Sequence, residues 1–170
     1  MNIILFGITG FGNIVLEELI NLNHKPKIII TRHEINPDPY LNLPQLSNLG
    51  EKYKIPVMFD KTHISGEFDL CIVATYHLLI NIKKSNFKSA YNIHPSLLPK
   101  FKGRDPITEV INKKQKFTGV SVHKLTDKFD DGEIIFQKKL KIIKLEKKSI
   151  MMQMLPIFRS STREIISKSS

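Results

Sequence analysis

The stretch Asn92-Ile93-His94-Pro95-Ser96-Leu97-Leu98-Pro99 places an amide and an imidazole two residues apart, after an apolar run and before a turn. Alternate residues of an extended segment share a face, so the two side chains point the same way. Asn92 donates hydrogen bonds through its amide, and His94 exchanges a proton near neutral pH. Such a pair suits a carbonyl whose oxygen becomes negative during nucleophilic attack. Further along, Phe129-Asp130-Asp131-Gly132-Glu133-Ile134-Ile135 puts carboxylates in a Gly-containing turn, where one can orient the imidazole or a water. The chemistry indicated is acyl transfer, and the candidate constellation is Asn92, His94 and Asp130. Taken singly, such residues more often close turns or satisfy neighbouring backbone. Their joint occurrence in this order, with Pro95, Pro99 and Gly103 shaping the loop between them, favours a site.

The elements that must position these residues follow from the apolar pattern. Strand-like runs at residues 2–6, 27–31, 56–59 and 69–74 alternate with helix-like segments at 14–22 and 44–53. This alternation predicts an α/β fold, Rossmann-like, with a mostly parallel sheet and helices on both faces. Asn13 stands beside the first helical stripe as a candidate cap. Residues 34–40 read as loop, because Pro37 and Pro39 remove backbone donors. Beyond residue 117 the pattern changes to strands at 118–125 and 133–143, an antiparallel C-terminal pair. A helix over about 149–167 follows, with Pro156 expected to kink or interrupt it and a frayed Ser-rich tail beyond. Gly7-Ile8-Thr9-Gly10-Phe11-Gly12 sits where a dinucleotide fingerprint would, but its order is Gly-x-x-Gly-x-Gly. Thr31-Arg32-His33 ends the second strand where an acidic residue would be needed, so the fold is expected without NAD.

Together these segments resemble the folate-dependent formyltransferase family, which includes phosphoribosylglycinamide, methionyl-tRNA and sugar N-formyltransferases. The matching residues are Asn92 through Pro99, Gly103, Thr118-Gly119-Val120-Ser121-Val122-His123 and Asp130 through Gly132. Coverage runs from the first strand to about residue 166, as a single catalytic domain over 1–170. The resemblance implies a formyltransferase that uses 10-formyltetrahydrofolate as formyl donor and a primary amine as acceptor. It marks Asn92, His94 and Asp130 as catalytic, and implies folate contacts at Tyr76, Leu78, Ile80, Asp127 and Asp131. Leu78 and Ile80 would cover the pterin faces. Acceptor contacts are implied at Gly10 in the first loop and at Lys100, Lys102 and Arg104 in the basic loop. A phosphate of the acceptor at the first helix N-terminus is a further expectation.

Composition narrows the partners. With 41% hydrophobic and 25% charged residues, the 170-residue chain lies in the globular range, long enough for one core. No window approaches the roughly 20 apolar residues of a membrane span, and no basic segment precedes the first apolar run, so a cytoplasmic protein is expected. The single Cys71 lies in an apolar run and is read as core. His24, His33, His63, His77 and His123 show no metal-site spacing. A net charge of +10 favours phosphorylated or polyanionic partners. The lysines at 138, 139, 141, 144, 147 and 148 lack interleaved aromatics, which argues against a single-stranded nucleic-acid platform. The expected partner is a small-molecule amine, phosphorylated or nucleotide-linked, with a homodimer open as the assembly.

The basic loop Lys100-Phe101-Lys102-Gly103-Arg104-Asp105-Pro106 is similar to the sugar and tRNA branches of the family. Methionyl-tRNA formyltransferases normally carry a further C-terminal domain, and the glycinamide enzymes a Gly/Ser/Asn-rich first loop that residues 7–13 reproduce poorly. A nucleotide-linked amino sugar is therefore the expected acceptor. The alternatives are glycinamide ribonucleotide, methionyl-tRNA, water in a formyltetrahydrofolate hydrolase, or a folate-binding module without turnover.

Overall fold

In the computed structural model, which describes residues 1–34 and 39–169, the strands form one seven-stranded sheet in the order β3-β2-β1-β4-β5-β6-β7. The strands are β1 Ile3–Gly7, β2 Ile28–Thr31, β3 Val57–Phe59, β4 Glu67–Ala74, β5 Asn86–His94, β6 Phe117–Lys124 and β7 Ile134–Lys141. The helices are α1 Phe11–Asn21, α2 Leu46–Lys52, α3 Pro106–Asn112 and α4 Lys147–Ser169. β1 to β5 are parallel, whereas β6 and β7 run antiparallel, as the change of pattern after residue 117 indicates. The middle of the Pro-rich loop, residues 35–38, lies outside the described residues.

β1 shows why the strands read as unbroken apolar runs: every one of its residues is buried. Ile3 and Leu5 face one core with residues of all four helices; Ile4 and Phe6 face a second with Ile30, Cys71, Val73 and Ile80. Strands covered on both faces have no solvent side to mark with polar residues. Among the described residues all four α-helices pack into the first core. The second face is covered by connecting segments that include Ile64 and Tyr76 and by a 3₁₀ turn at Ile82–Lys84. Strand order supplies the reason. Right-handed crossovers place α1 and α2 on one face, whereas the connections from β3 to β4 and from β4 to β5 pass over the other, where short segments do the covering.

Helix α1 begins earlier than its apolar stripe suggests. Gly10 is its N-cap with φ of 109°, a region that favours glycine, and Asn13 Oδ1 accepts the Gly10 N–H at 3.1 Å from inside the first turn. Asn13 Nδ2 also donates to the Pro44 carbonyl (2.8 Å), tying α1 to the entry of α2. Along α1, Phe11 stacks on Phe158 of α4 with ring centroids 4.0 Å apart. The carboxylate of Glu18, only 3% exposed, is met by Arg163 (2.6 Å) and Arg159 (3.4 Å) of the same helix. A buried charge is tolerated when paired in this way. α4 runs through Pro156 without interruption and stays helical to Ser169, past the expected fraying point. Its buried face, including Ile150, Met154, Phe158 and Ile165, supplies packing that propensity alone would not. No described helix is long and apolar enough to cross a membrane.

Candidate functional site

The sheet's direction changes between β1 and β4, and open α/β sheets place ligand clefts at the carboxyl ends of strands around such a point. The residues just past those ends converge here. Ile8 follows β1, Arg32 follows β2, Thr75, Tyr76 and His77 follow β4, and Asn92 to Pro95 close β5; all line one cavity of about 290 Å³ with Gly103, Arg104, Pro106, Phe129 and Asp130. A narrower cleft adjoins it through Tyr76, Asn92, Phe129 and Asp130, walled by Val73, Leu78, Leu79, Ile80 and Leu125. On the opposite side a cavity of about 310 Å³ shares Ile8, Arg32, Thr75, Pro95, Arg104 and Pro106 and extends to Thr9, Glu34, Tyr40 and Lys147. The three form a continuous groove with Asn92, His94 and Asp130 in its central part.

Asp130 is the hub of that part. Its Oδ1 accepts from Asn92 Nδ2 (3.1 Å) and lies 3.4 Å from His94 Nδ1 and from His123 Nε2, while Oδ2 accepts the Gly103 N–H (2.8 Å). The residue has φ of 50°, a conformation Asp tolerates better than most, which turns the carboxylate inward between β6 and β7. Gly132 closes the turn, and no side chain fits there: a Cβ would stand 1.7 Å from the Lys124 carbonyl oxygen. Burial opposes charge on Asp130, but the His123 bond, the His94 charge and the Gly103 N–H together hold its carboxyl below the usual range.

His94 is 5% exposed at its side chain. Nε2 donates to the Phe101 carbonyl (2.9 Å), leaving Nδ1 as the lone-pair nitrogen beside Asp130 when the ring is neutral. Burial pushes its pKa below the ordinary imidazole value, with Asp130 and the Phe101 carbonyl pulling the other way. A proton taken up at Nδ1 therefore meets a carboxylate already in place, the arrangement needed for proton exchange near neutrality. The basic loop is fixed in turn. Ser96 Oγ donates to the carbonyls of Lys100 (2.8 Å) and Phe101 (3.1 Å), Ser121 Oγ donates to Ser96 O (2.6 Å), and Gln137 Nε2 donates to Leu98 O (3.0 Å). Side chains of β6 and β7 thus hold the loop from which Ser96 fixes the Phe101 carbonyl that orients His94.

The lowered pKa values of His94 and Asp130 carry a stability consequence. In both cases the unfolded chain binds the proton more readily, so stability is present above the unfolded value and is lost as pH falls through the folded one. For His94 that loss begins below an imidazole value of about 6.5. Thermal unfolding at pH 7.5 and 5.5 should therefore show a larger loss for the wild type than for His94→Gln; equal losses would contradict the assignment.

Some expected contacts gather in the groove and others lie elsewhere. Asn92, His94, Asp130, Tyr76, Leu78, Ile80 and Arg104 line it. Ile80 is 2% exposed and packs in the second core, so Leu79, at 38%, presents more apolar surface than its neighbour. Asp127 is turned to Lys83 (3.3 Å) on the surface, and Asp131 is exposed and paired with Lys102 (2.9 Å), which engages both of those expected ligand contacts with each other. Lys100 lines a separate cavity with Lys114, Lys116 and Lys139. Gly10 caps α1, its N–H already bonded to Asn13.

His123 and Glu34 are two groove residues that no motif of the sequence places there. His123 stands opposite Asn92 in the β5–β6 register, its Nδ1 donating to the Lys124 carbonyl (2.8 Å) and its Nε2 3.1 Å from Asn92 Nδ2. The Thr118-to-His123 motif was visible, but only strand register shows that it ends at Asn92. Glu34 is the other. It is the acidic residue after β2, and its carboxylate accepts from the Thr9 N–H (3.1 Å) and from the Thr9 hydroxyl. Among the described residues no cluster of His, Cys, Asp and Glu is disposed to hold a metal ion.

Comparison with known proteins agrees with this geometry. The family described as "Formyl transferase" matches residues 11–160. Methionyl-tRNA formyltransferase of Pseudothermotoga lettingae is 33% identical over 153 residues, covering 84% of this chain and 49% of that protein. The chain spans about half the length of the methionyl-tRNA formyltransferases it matches. The N-formyltransferase of Helicobacter canadensis, solved with folinic acid and dTDP-3-aminofucose, superposes with a TM-score of 0.80 at 18% identity, over 99% of this chain and 65% of that one. Phosphoribosylglycinamide formyltransferase of Bacillus halodurans gives 0.75 at 19% identity, over 100% and 97%. These two likenesses establish the fold, and the extent of the family match establishes membership: the chain belongs to the formyl transferase family.

Proposed function

We propose that this domain transfers a formyl group from 10-formyltetrahydrofolate to a primary amine, most fittingly that of a nucleotide-linked amino sugar. The observation that carries the reading is the convergence of Asn92, His94 and Asp130 where the cleft walled by Leu78, Leu79 and Ile80 meets the Arg-lined cavity. Apolar walls with polar groups at one end suit a pterin ring, which has apolar faces and a polar edge. The donor's formyl carbon would then lie beside Asn92, with the amine arriving from the Arg104 side.

In this reading the amine attacks the formyl carbon. Asn92 donates a hydrogen bond to the oxyanion of the tetrahedral intermediate, and protonated His94 stabilises its charge. Asp130 holds His94 and helps a bound water carry the proton from the amine to the leaving nitrogen. Oxyanion donors of this type contribute about 3 kcal/mol each, and positioning two substrates in one groove supplies much of the remainder.

Methionyl-tRNA is the second reading, favoured by the relatives at 29% and 33% identity and by the lysines of β7. Formylation rates for amino-sugar nucleotides, glycinamide ribonucleotide and methionyl-tRNA, each at two salt concentrations, decide between them. An amino-sugar nucleotide should be formylated fastest, with a modest salt effect. Preference for methionyl-tRNA with a steep salt dependence, as release of many counterions requires, would overturn the sugar assignment.

A further inference from the structure

The first loop and α1 form the usual kind of anion cradle, with backbone N–H groups at a helix start. Here the cradle is occupied from within. Glu34 bonds the Thr9 N–H and hydroxyl, and its side chain is 6% exposed. Thr9 Oγ1 in turn accepts the Leu46 N–H (2.9 Å), so the carboxylate is locked between α1 and α2. A fixed negative charge at this point repels a second anion.

Two guanidinium groups lie across the groove instead. Arg32 touches Glu34 through Nε (3.5 Å), and its side chain is 44% exposed. Arg104 makes no ion pair with any described carboxylate, although it lines both wide cavities. The two act on a common neighbour: burial lowers the pKa of His77, and Arg32 and Arg104 each lower it further against the pull of Asp60. Both also line the cavity that His77 and His94 share, so their positive charges converge on one stretch of the groove wall.

Given the formyl-transfer reading, we propose that Arg32 and Arg104 form the clamp that binds the phosphoryl group of the acceptor, and that Glu34 excludes that group from the start of α1. Guanidinium forks meet phosphoryl oxygens in paired charge-assisted bonds. Two cations match the near-double charge of a phosphoryl group better than the single charge of a carboxylate. With the anion held there, the acceptor's amine end extends toward Asn92 and His94.

The test is calorimetric titration of the 170-residue chain with inorganic pyrophosphate, with acetate as the competing anion and folinic acid titrated in parallel. Arg32→Met and Arg104→Met should each weaken pyrophosphate binding at least about 10-fold, as loss of charge-assisted bonds requires, while folinic acid affinity stays within about two-fold. Both side chains are exposed, so neither change threatens folding. Unchanged pyrophosphate affinity in both variants, acetate binding as tight as pyrophosphate, or no pyrophosphate binding to the wild type would overturn the clamp. Failure of the wild type to bind folinic acid would strike at the formyl-transfer reading separately.

Discussion

His94→Ala is expected to lower formyl transfer at least about 100-fold while leaving the fold intact, because it removes the group that both carries a proton and stabilises the oxyanion. The ring sits at the end of β5 against a loop that Ser96, Ser121 and Gln137 fix independently, so the surrounding backbone keeps its bonds. Donor binding should change little, since the apolar cleft is built from other side chains. The check is steady-state turnover with the best acceptor, alongside folinic acid affinity and circular dichroism. Turnover near that of the wild type would remove His94 from the mechanism.

Asp130→Asn is the second large effect. An amide preserves shape and can still accept the Gly103 N–H, but it loses the charge that faces His94 Nδ1 and His123 Nε2. Turnover should fall far more than donor affinity, by roughly 100-fold or more, as for loss of a positioned proton-transfer group. Asp131→Asn makes the internal control. Asp131 is exposed and bonds only to Lys102 in the described structure, so its loss should be mild. A larger defect from Asp131→Asn than from Asp130→Asn would move the functional carboxylate by one residue.

How much of this was legible in the sequence depended on distance along the chain. β1, Ile28 to Ile30 of β2 and Leu70 to Ala74 of β4 are continuous apolar runs because both faces are covered, and a run of that kind announces itself locally. Asn92 and His94 share one strand end, so their common direction follows from the two-residue period. The choice between neighbouring Asp130 and Asp131 was harder. It rests on a backbone turn with positive φ that swings one carboxylate inward and leaves the other on Lys102. His123 needed the β5–β6 register that sets it opposite Asn92, which is not written in either strand alone. Glu34 needed still more: a carboxylate beyond β2 reaching back to Thr9 is a contact made only when the parallel sheet forms. The gathering of all four α-helices in one core depends on packing between helices far apart in the chain, which no individual segment encodes.

The central claim is most directly tested with donor labelled in its formyl group. With an amino-sugar nucleotide present, label should pass to the amine as an N-formyl product, and Asn92→Ala and His94→Ala should each abolish most of that transfer. Label released as formate at the same rate with and without any amine would contradict the account and assign the same three residues to hydrolysis.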